Sequence, residues 1–237
     1  MAVIWQKKID GSLYQIRSAG KTRRLYTNGV CHSEFNPSKL VTGSIWDLLI
    51  LPAFFYQPES VRRILMLGVG GGASILQLHH LLDVQHICGV ELDPVHLQLA
   101  QRFFNIESIP VELHKAEARA WLQDYKGDAF DLIIDDLFTN KGREPVRALE
   151  ADKEWFTLLL KHLSESGRLV VNFASAEEFR QSAYFQNSSI NKQFSAAFRL
   201  GNIQLDNIVG AFLRLDSNTA QLRANVMDNP VLGRACK

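Results

Sequence analysis

Between residues 63 and 173 the chain switches repeatedly between two hydrophobic periods. The apolar runs ILMLG, HICGVEL, FDLIID and RLVVNF, with the shorter VELH, read as strands, most of them buried on both faces. Between them lie ASILQLHHLL, PVHLQLAQRFF, AEARAWLQDY and EADKEWFTLLLKHL, where apolar residues recur at helical spacing. Val95, Leu99 and Phe103 fall on one helical face, as do Phe156, Leu159, Leu160 and Leu163. Asp93 followed by Pro94 supplies an N-cap and a first helical residue with preset φ. A further helix is expected from about Ser175, and SAAFRLGN and NIVGAFLRL predict an antiparallel pair at the sheet edge. This alternation predicts an α/β fold, a mostly parallel seven-stranded sheet with helices on both faces. After Asp216 the tail is polar and predicts no element.

The first 60 residues have a different texture. VIWQKKI, SLYQIRS and RRLYTN are separated by Asp10-Gly11 and Asn28-Gly29, dipeptides that accept the positive φ of tight hairpins. Residues 1–60 are therefore read as a small N-terminal antiparallel β-subdomain plus a connecting helix, opened by Asn36-Pro37, running through SIWDLLIL and ended near Pro52. Residues 61–237 form the second unit.

Composition narrows the function classes. The net charge is +1, with 46% hydrophobic and 22% charged residues, so no global field favours nucleic acid or an anionic membrane. Residues 1–63 are locally basic, nine Lys or Arg against four Asp or Glu, which fits solvated strand faces. Cys31, Cys88 and Cys236 have no CxxC spacing, and neither a signal peptide nor an 18-residue apolar run occurs. A cytoplasmic protein without metal is expected, acting on a small molecule.

The candidate chemistry gathers at the strand ends. Gly68, Gly70, Gly71 and Gly72 lie between the first strand and its helix, where a bare backbone turns sharply and admits a ligand. Glu91 ends the next strand, 23 residues after Gly68, the separation of a carboxylate that grips ribose hydroxyls. Glu117, after the third strand, is placed to accept from an adenine amino group, and Asp135-Asp136 ends the fourth. An NAD site remains open on the GxGxxA spacing of Gly68, Gly70 and Ala73, but these acids and the short remaining chain favour a nucleoside sulfonium. Of the aspartates, Asp136 is the candidate to position a nucleophile or take its proton, and Asp135 should face the other way. Phe138 is a candidate pocket ring, whereas His79-His80, His114 and His162 read as ordinary histidines.

LYTNGVCHS, LMLGVGGGAS, CGVELDPVHLQLAQRFF and FDLIIDDLFTNKG together resemble the spermidine synthase family, within the class I S-adenosylmethionine-dependent methyltransferase superfamily. The resemblance implies a Rossmann-like class I methyltransferase fold with a small N-terminal β-domain, and a homodimer or homotetramer. It places Gly68, Gly70, Gly71, Gly72, Glu91, Leu92, Glu117, Ala118 and Asp136 at the adenosyl cofactor, with His32, Phe138 and Thr139 on the substrate side. Gly71 stands where the family carries an aspartate that meets the cofactor's amino group. Thr139 replaces the second Asp of the DSSD motif, His32 replaces a Gln, and the acidic DExxYxE segment reads SKLVTGSIWDLL. Loss of the aspartate would remove a clash with the carboxylate of intact S-adenosylmethionine. The resulting expectation is a spermidine-synthase-like methyltransferase using S-adenosylmethionine. The alternatives are an aminopropyltransferase of polyamine biosynthesis, with an altered acceptor site and decarboxylated S-adenosylmethionine, and a non-catalytic nucleoside- or partner-binding module.

Overall fold

The computed structural model describes residues 1–141, 144–201 and 206–235. Strands β1 (Ala2–Ile9), β2 (Ser12–Ala19), β3 (Thr22–Thr27) and β4 (Val30–Phe35) form an antiparallel sheet in sequence order. Its first and third turns are those read from Asp10-Gly11 and Asn28-Gly29, with all four residues at positive φ. The middle turn uses Gly20 at φ +55° and carries no such dipeptide signal.

The second sheet is built from β5 (Arg63–Leu67), β6 (His86–Glu91), β7 (Glu112–Lys115), β8 (Phe130–Asp135), β11 (Leu163–Phe173), β12 (Ala196–Leu200) and β13 (Ile208–Leu213). The hairpin between β8 and β11 is β9 (Phe138–Lys141) with β10 (Glu144–Arg147). The seven strands run in the order β12-β13-β11-β8-β5-β6-β7, parallel except for β13 against β11 and β12. This is the predicted sheet, with the antiparallel pair at its edge.

Its helices are α2 (Ala73–Leu81), α3 (Pro94–Phe104), α4 (Ala118–Asp124) and α5 (Lys153–Lys161), followed by the short α6 (Ala176–Gln181), α7 (Ala183–Gln186) and α8 (Ser188–Asn191). In α3 the Asp93 carboxylate accepts from Val95 N at 2.8 Å, Pro94 holds the first position, and Asn105 closes the helix at φ +58°. The connecting helix α1 (Ile45–Ile50) starts eight residues later than Asn36-Pro37 suggested, because its cap is Ser44. Past Asp216 the tail folds into α9 (Thr219–Asp228) and α10 (Leu232–Ala235), which correct the blank reading there. Asn225 anchors α9 by donating to the carbonyls of Phe54 and Tyr56 at 2.8 and 2.6 Å, contacts invisible to a periodicity argument.

Ile16, Leu25 and Phe35 of the first sheet share a buried cluster with Ile64, Leu99 and Phe104. The two sheets therefore meet through a continuous core, and the carboxyl ends of β5, β6 and β8 open onto their junction. Chain order reverses between β5 and β8, the place where ligands bind open α/β sheets. No described helix is long and apolar enough to cross a membrane.

Candidate active site

At that reversal lies a cleft of about 640 Å³, walled by the ends of β5, β6 and β8, the hairpin β9-β10 and the turns of the first sheet. Gly68, Gly70, Glu91, Leu92, Glu117, Ala118 and Asp136 line it, as do His32, Phe138 and Thr139. Gly71 and Gly72 do not.

The glycine turn is packed by protein on every side where a side chain would stand. A Cβ on Gly68 would lie 2.3 Å from the Asp136 carbonyl oxygen, and one on Gly70 2.4 Å from that of His32. At Gly72 it would strike Ile106, and at Gly71 it would meet the Phe104 ring and Ser33 Cβ, each at 2.8 Å. Gly68, Gly70 and Gly72 also hold φ between +55° and +84°, the left-handed region. The glycines thus let strands and helices close on one another, and a side chain at Gly71 would point into protein.

Glu91 fills the turn from inside. Its Oε2 accepts from Val69 N at 3.0 Å and Gly70 N at 2.9 Å, and its Oε1 from Asp93 N at 2.9 Å. Burial alone would raise this carboxyl, but the adjacent His96 imidazole and the N–H groups of Asp93 and Gly70 outweigh it and bring it down to about 2. A carboxylate has four acceptor sites, so one on Oε1 remains. Glu91→Gln is expected to cost about 1–3 kcal/mol at pH 7, since charge-assisted bonds to the turn are lost. It should also flatten the stability lost as pH falls from 4.5 toward about 2, because a lowered carboxyl stabilises only while ionised. Urea unfolding across that range checks both.

Glu117 takes a role the sequence did not suggest. It caps α4, accepting from Arg119 N at 3.0 Å and Ala120 N at 2.8 Å, and sits exposed at the cleft rim. Asp93 and His96 join it as acids and bases of the cleft that sequence reading passed over. Asp93 Oδ2 accepts from Tyr14 O–H at 2.8 Å, and His96 Nε2 lies 2.8 Å from Thr27 Oγ1. Both contacts bind the first sheet to α3, and their only signal was proximity to Glu91. His32 packs beside His96, ring centroids 4.9 Å apart and planes tilted by 48°, and its buried Nε2 has no partner among the described residues. Burial and His96 hold the His32 imidazole down at about 4, so it is neutral.

The paired aspartates separate as the strand period requires. Asp135 is fully buried, held by Arg147 at 2.8 Å and Trp155 Nε1 at 2.7 Å, and pins the end of β10. Asp136 faces the cleft. Its Oδ1 accepts from Asn172 Nδ2 at 2.7 Å, and Asn207 Nδ2 donates to Asn172 Oδ1 at 3.1 Å. Burial pushes the Asp136 carboxyl up to about 7, with Asp135 and Glu91 adding to the rise and the Asn172 amide and Arg147 opposing it. Asn172 and Asn207 were missed because each is a lone amide at a strand end. Four acids line the cleft, Glu91, Asp93, Glu117 and Asp136, and no Lys or Arg is among its described lining residues.

Comparison with known proteins agrees on the family. Residues 47–200 match the model of the spermine/spermidine synthase domain. A polyamine aminopropyltransferase of Vibrio vulnificus is 31% identical over 133 residues, 55% of this chain, and the match spans only 43% of that relative's length. A spermidine synthase in complex with the transition-state analogue AdoDATO shares the fold at TM-score 0.68 and 14% identity, over 96% of this chain and 78% of that one. Human methyltransferase-like protein 13, in complex with SAH, shares it at TM-score 0.62 and 16% identity, over 80% and 90%. These findings overturn the expectation of a methyltransferase, since the matching family is named for spermine and spermidine synthases and the relatives carry the aminopropyltransferase name. The physical reason is local: the inference rested on room vacated at Gly71, and Phe104 and Ser33 occupy that room. The chain belongs to the spermine/spermidine synthase domain family.

Proposed function

We propose that this chain is a polyamine aminopropyltransferase of spermidine synthase type, taking its aminopropyl group from decarboxylated S-adenosylmethionine. The observation that carries this reading is the charge of the cleft: acids line it, no described cation does, and Glu91 occupies the turn amides that a pyrophosphate would need. A dinucleotide would place its phosphates against an ionised carboxylate, whereas a sulfonium and an amine meet attraction there. The relatives' names and the ligands of the two structural neighbours point to the same adenosyl chemistry.

The described residues fit such a donor. Glu91 and His32 both line the cleft, and the open site on Glu91 Oε1 suits a ribose hydroxyl. The bound donor supplies an alkyl carbon activated by its sulfonium, so the amine forms a C–N bond as the C–S bond breaks and its electron pair goes to sulfur. Asp136 would hold the incoming amine and take the proton that frees its lone pair, a task suited to a carboxyl near 7. Asn172 fixes that carboxyl, and Phe138 helps exclude water. Few other groups are needed, because orientation supplies much of the rate.

Calorimetry tests the donor. Decarboxylated S-adenosylmethionine is expected to bind at least about tenfold more tightly than the intact form, whose added carboxylate enters an acid-lined cleft. Preference for the intact form, or binding of neither, would count against the proposal. The cytoplasmic location, the division near residue 60 and a homodimer or homotetramer remain parts of the same proposal.

A further inference from the structure

The hairpin β9-β10 and the residues just after it wall one side of the cleft through Phe138, Thr139, Ala148 and Leu149, yet its two strands form a sheet of their own. Some other contact has to set the distance of that wall from Asp136. Arg147 ends β10 and reaches across the strand ends of the large sheet. Its Nη2 donates to Asp135 Oδ2 at 2.8 Å, its Nη1 to the Asn172 carbonyl at 2.5 Å, and its Nε to the Leu149 carbonyl at 3.2 Å. One planar, permanently charged fork thus ties the hairpin to β8 at the residue before Asp136, and to β11 at the residue whose amide bonds the Asp136 carboxylate. Trp155 Nε1 and Leu137 N fix the Asp135 carboxylate from other sides, at 2.7 and 3.3 Å. Arg147 does not line the cleft, so whatever it does for the reaction it does through these partners.

The pair is dry, with the Arg147 side chain 5% exposed and that of Asp135 fully buried. A buried ion pair is a weak way to stabilise a fold, because apolar residues of similar volume do as well or better. What this one supplies is geometry. We infer that Arg147 is the positioning residue of the acceptor side, holding the hairpin wall and the Asn172 amide in register with Asp136 so that the bound amine has one orientation. This rests on the proposed aminopropyl transfer. The charged groups acting on Asp136 are Asp135 and Glu91, which push its carboxyl up, and Arg147, which opposes them. The same guanidinium therefore helps to keep the base available near neutral pH.

Two variants test it in the 237-residue chain. Arg147→Lys keeps the charge, but a compact ammonium cannot span three acceptors as the fork does. Asp135→Asn with Arg147→Met removes both charges and should fold, since no buried charge is left unpaired. With decarboxylated S-adenosylmethionine and 1,4-diaminobutane, kcat/KM for the amine is expected to fall about 10²-fold in both, while calorimetric affinity for the donor stays within about twofold. An unchanged kcat/KM, or equal weakening toward donor and amine, would overturn the positioning role and leave aminopropyl transfer standing. A second readout needs no turnover: the titration of the Asp136 carboxyl followed by carbon NMR, its signal assigned by loss in Asp136→Asn. In Arg147→Lys the midpoint should rise by about half a unit to one unit as Asn172 loosens; an unmoved midpoint would overturn the inference. Failure of the wild-type chain to release methylthioadenosine with the amine would instead overturn the transfer reading, and the midpoint would still decide whether Arg147 holds Asn172 on Asp136.

Discussion

Asp136→Asn is expected to lower kcat by about 10²–10⁴-fold, the range of a lost general base, while the affinity for the aminopropyl donor stays within about twofold. The proposed reading assigns the donor's ribose to Glu91 and the amine to Asp136. The wild-type rate should rise with pH to a plateau, with its acid limb near 7, because Asp136 takes a proton only once its own is gone. Removing the Asn172 amide takes away a stabilising bond to the carboxylate, so Asn172→Leu should move that limb upward. Stability runs the other way. A carboxyl raised from 3.8 to about 7 in the fold contributes stability below 3.8 that is lost as pH rises through 7. Asp136→Asn should therefore be more stable than wild type at pH 8, even as it loses activity. Thermal unfolding at pH 5 and pH 8 reads this, and equal loss of stability at both would refute the buried-base account.

Restoring the family's aspartate should damage the fold instead of improving the site. Gly71→Asp places a Cβ within 2.8 Å of Phe104 and Ser33 and a carboxylate among Phe104 and its neighbours, with no cation described nearby. Overpacking costs about 1–3 kcal/mol and an unpaired buried charge more, so a loss on the order of 4 kcal/mol is expected. For a chain of this size that lowers Tm by roughly 8–16 °C. The paired variant Gly71→Asp with Phe104→Ala opens space and should recover part of the loss. A stable Gly71→Asp protein with tighter donor binding would mean that the position is cofactor space after all.

These two outcomes turn on features that the sequence showed unequally. The buried strands were legible, because β5, β8 and β11 need near-continuous apolar runs to be covered on both faces, and the paired turns at Asp10-Gly11 and Asn28-Gly29 announced themselves by backbone chemistry. The separation of Asp135 from Asp136 followed from the strand period alone. The glycine turn was legible as a turn and opaque in purpose: missing side chains look the same whether a ligand or Phe104, Ile106 and two carbonyls fill the gap. The β9-β10 hairpin escaped because FTNKGREPVR has no alternating pattern. Glu117 as an N-cap, and the Asn207–Asn172–Asp136 chain, depend on atoms brought together from different elements.

The central claim is a transfer of an aminopropyl group, and the products decide it. The chain is incubated with decarboxylated S-adenosylmethionine and 1,4-diaminobutane, and the mixture is resolved by mass spectrometry. The account predicts methylthioadenosine and N-(3-aminopropyl)-1,4-diaminobutane in equal amounts, both formed about 10²–10⁴-fold more slowly by Asp136→Asn. Absence of both, with S-adenosylhomocysteine formed when intact S-adenosylmethionine is supplied instead, would contradict it.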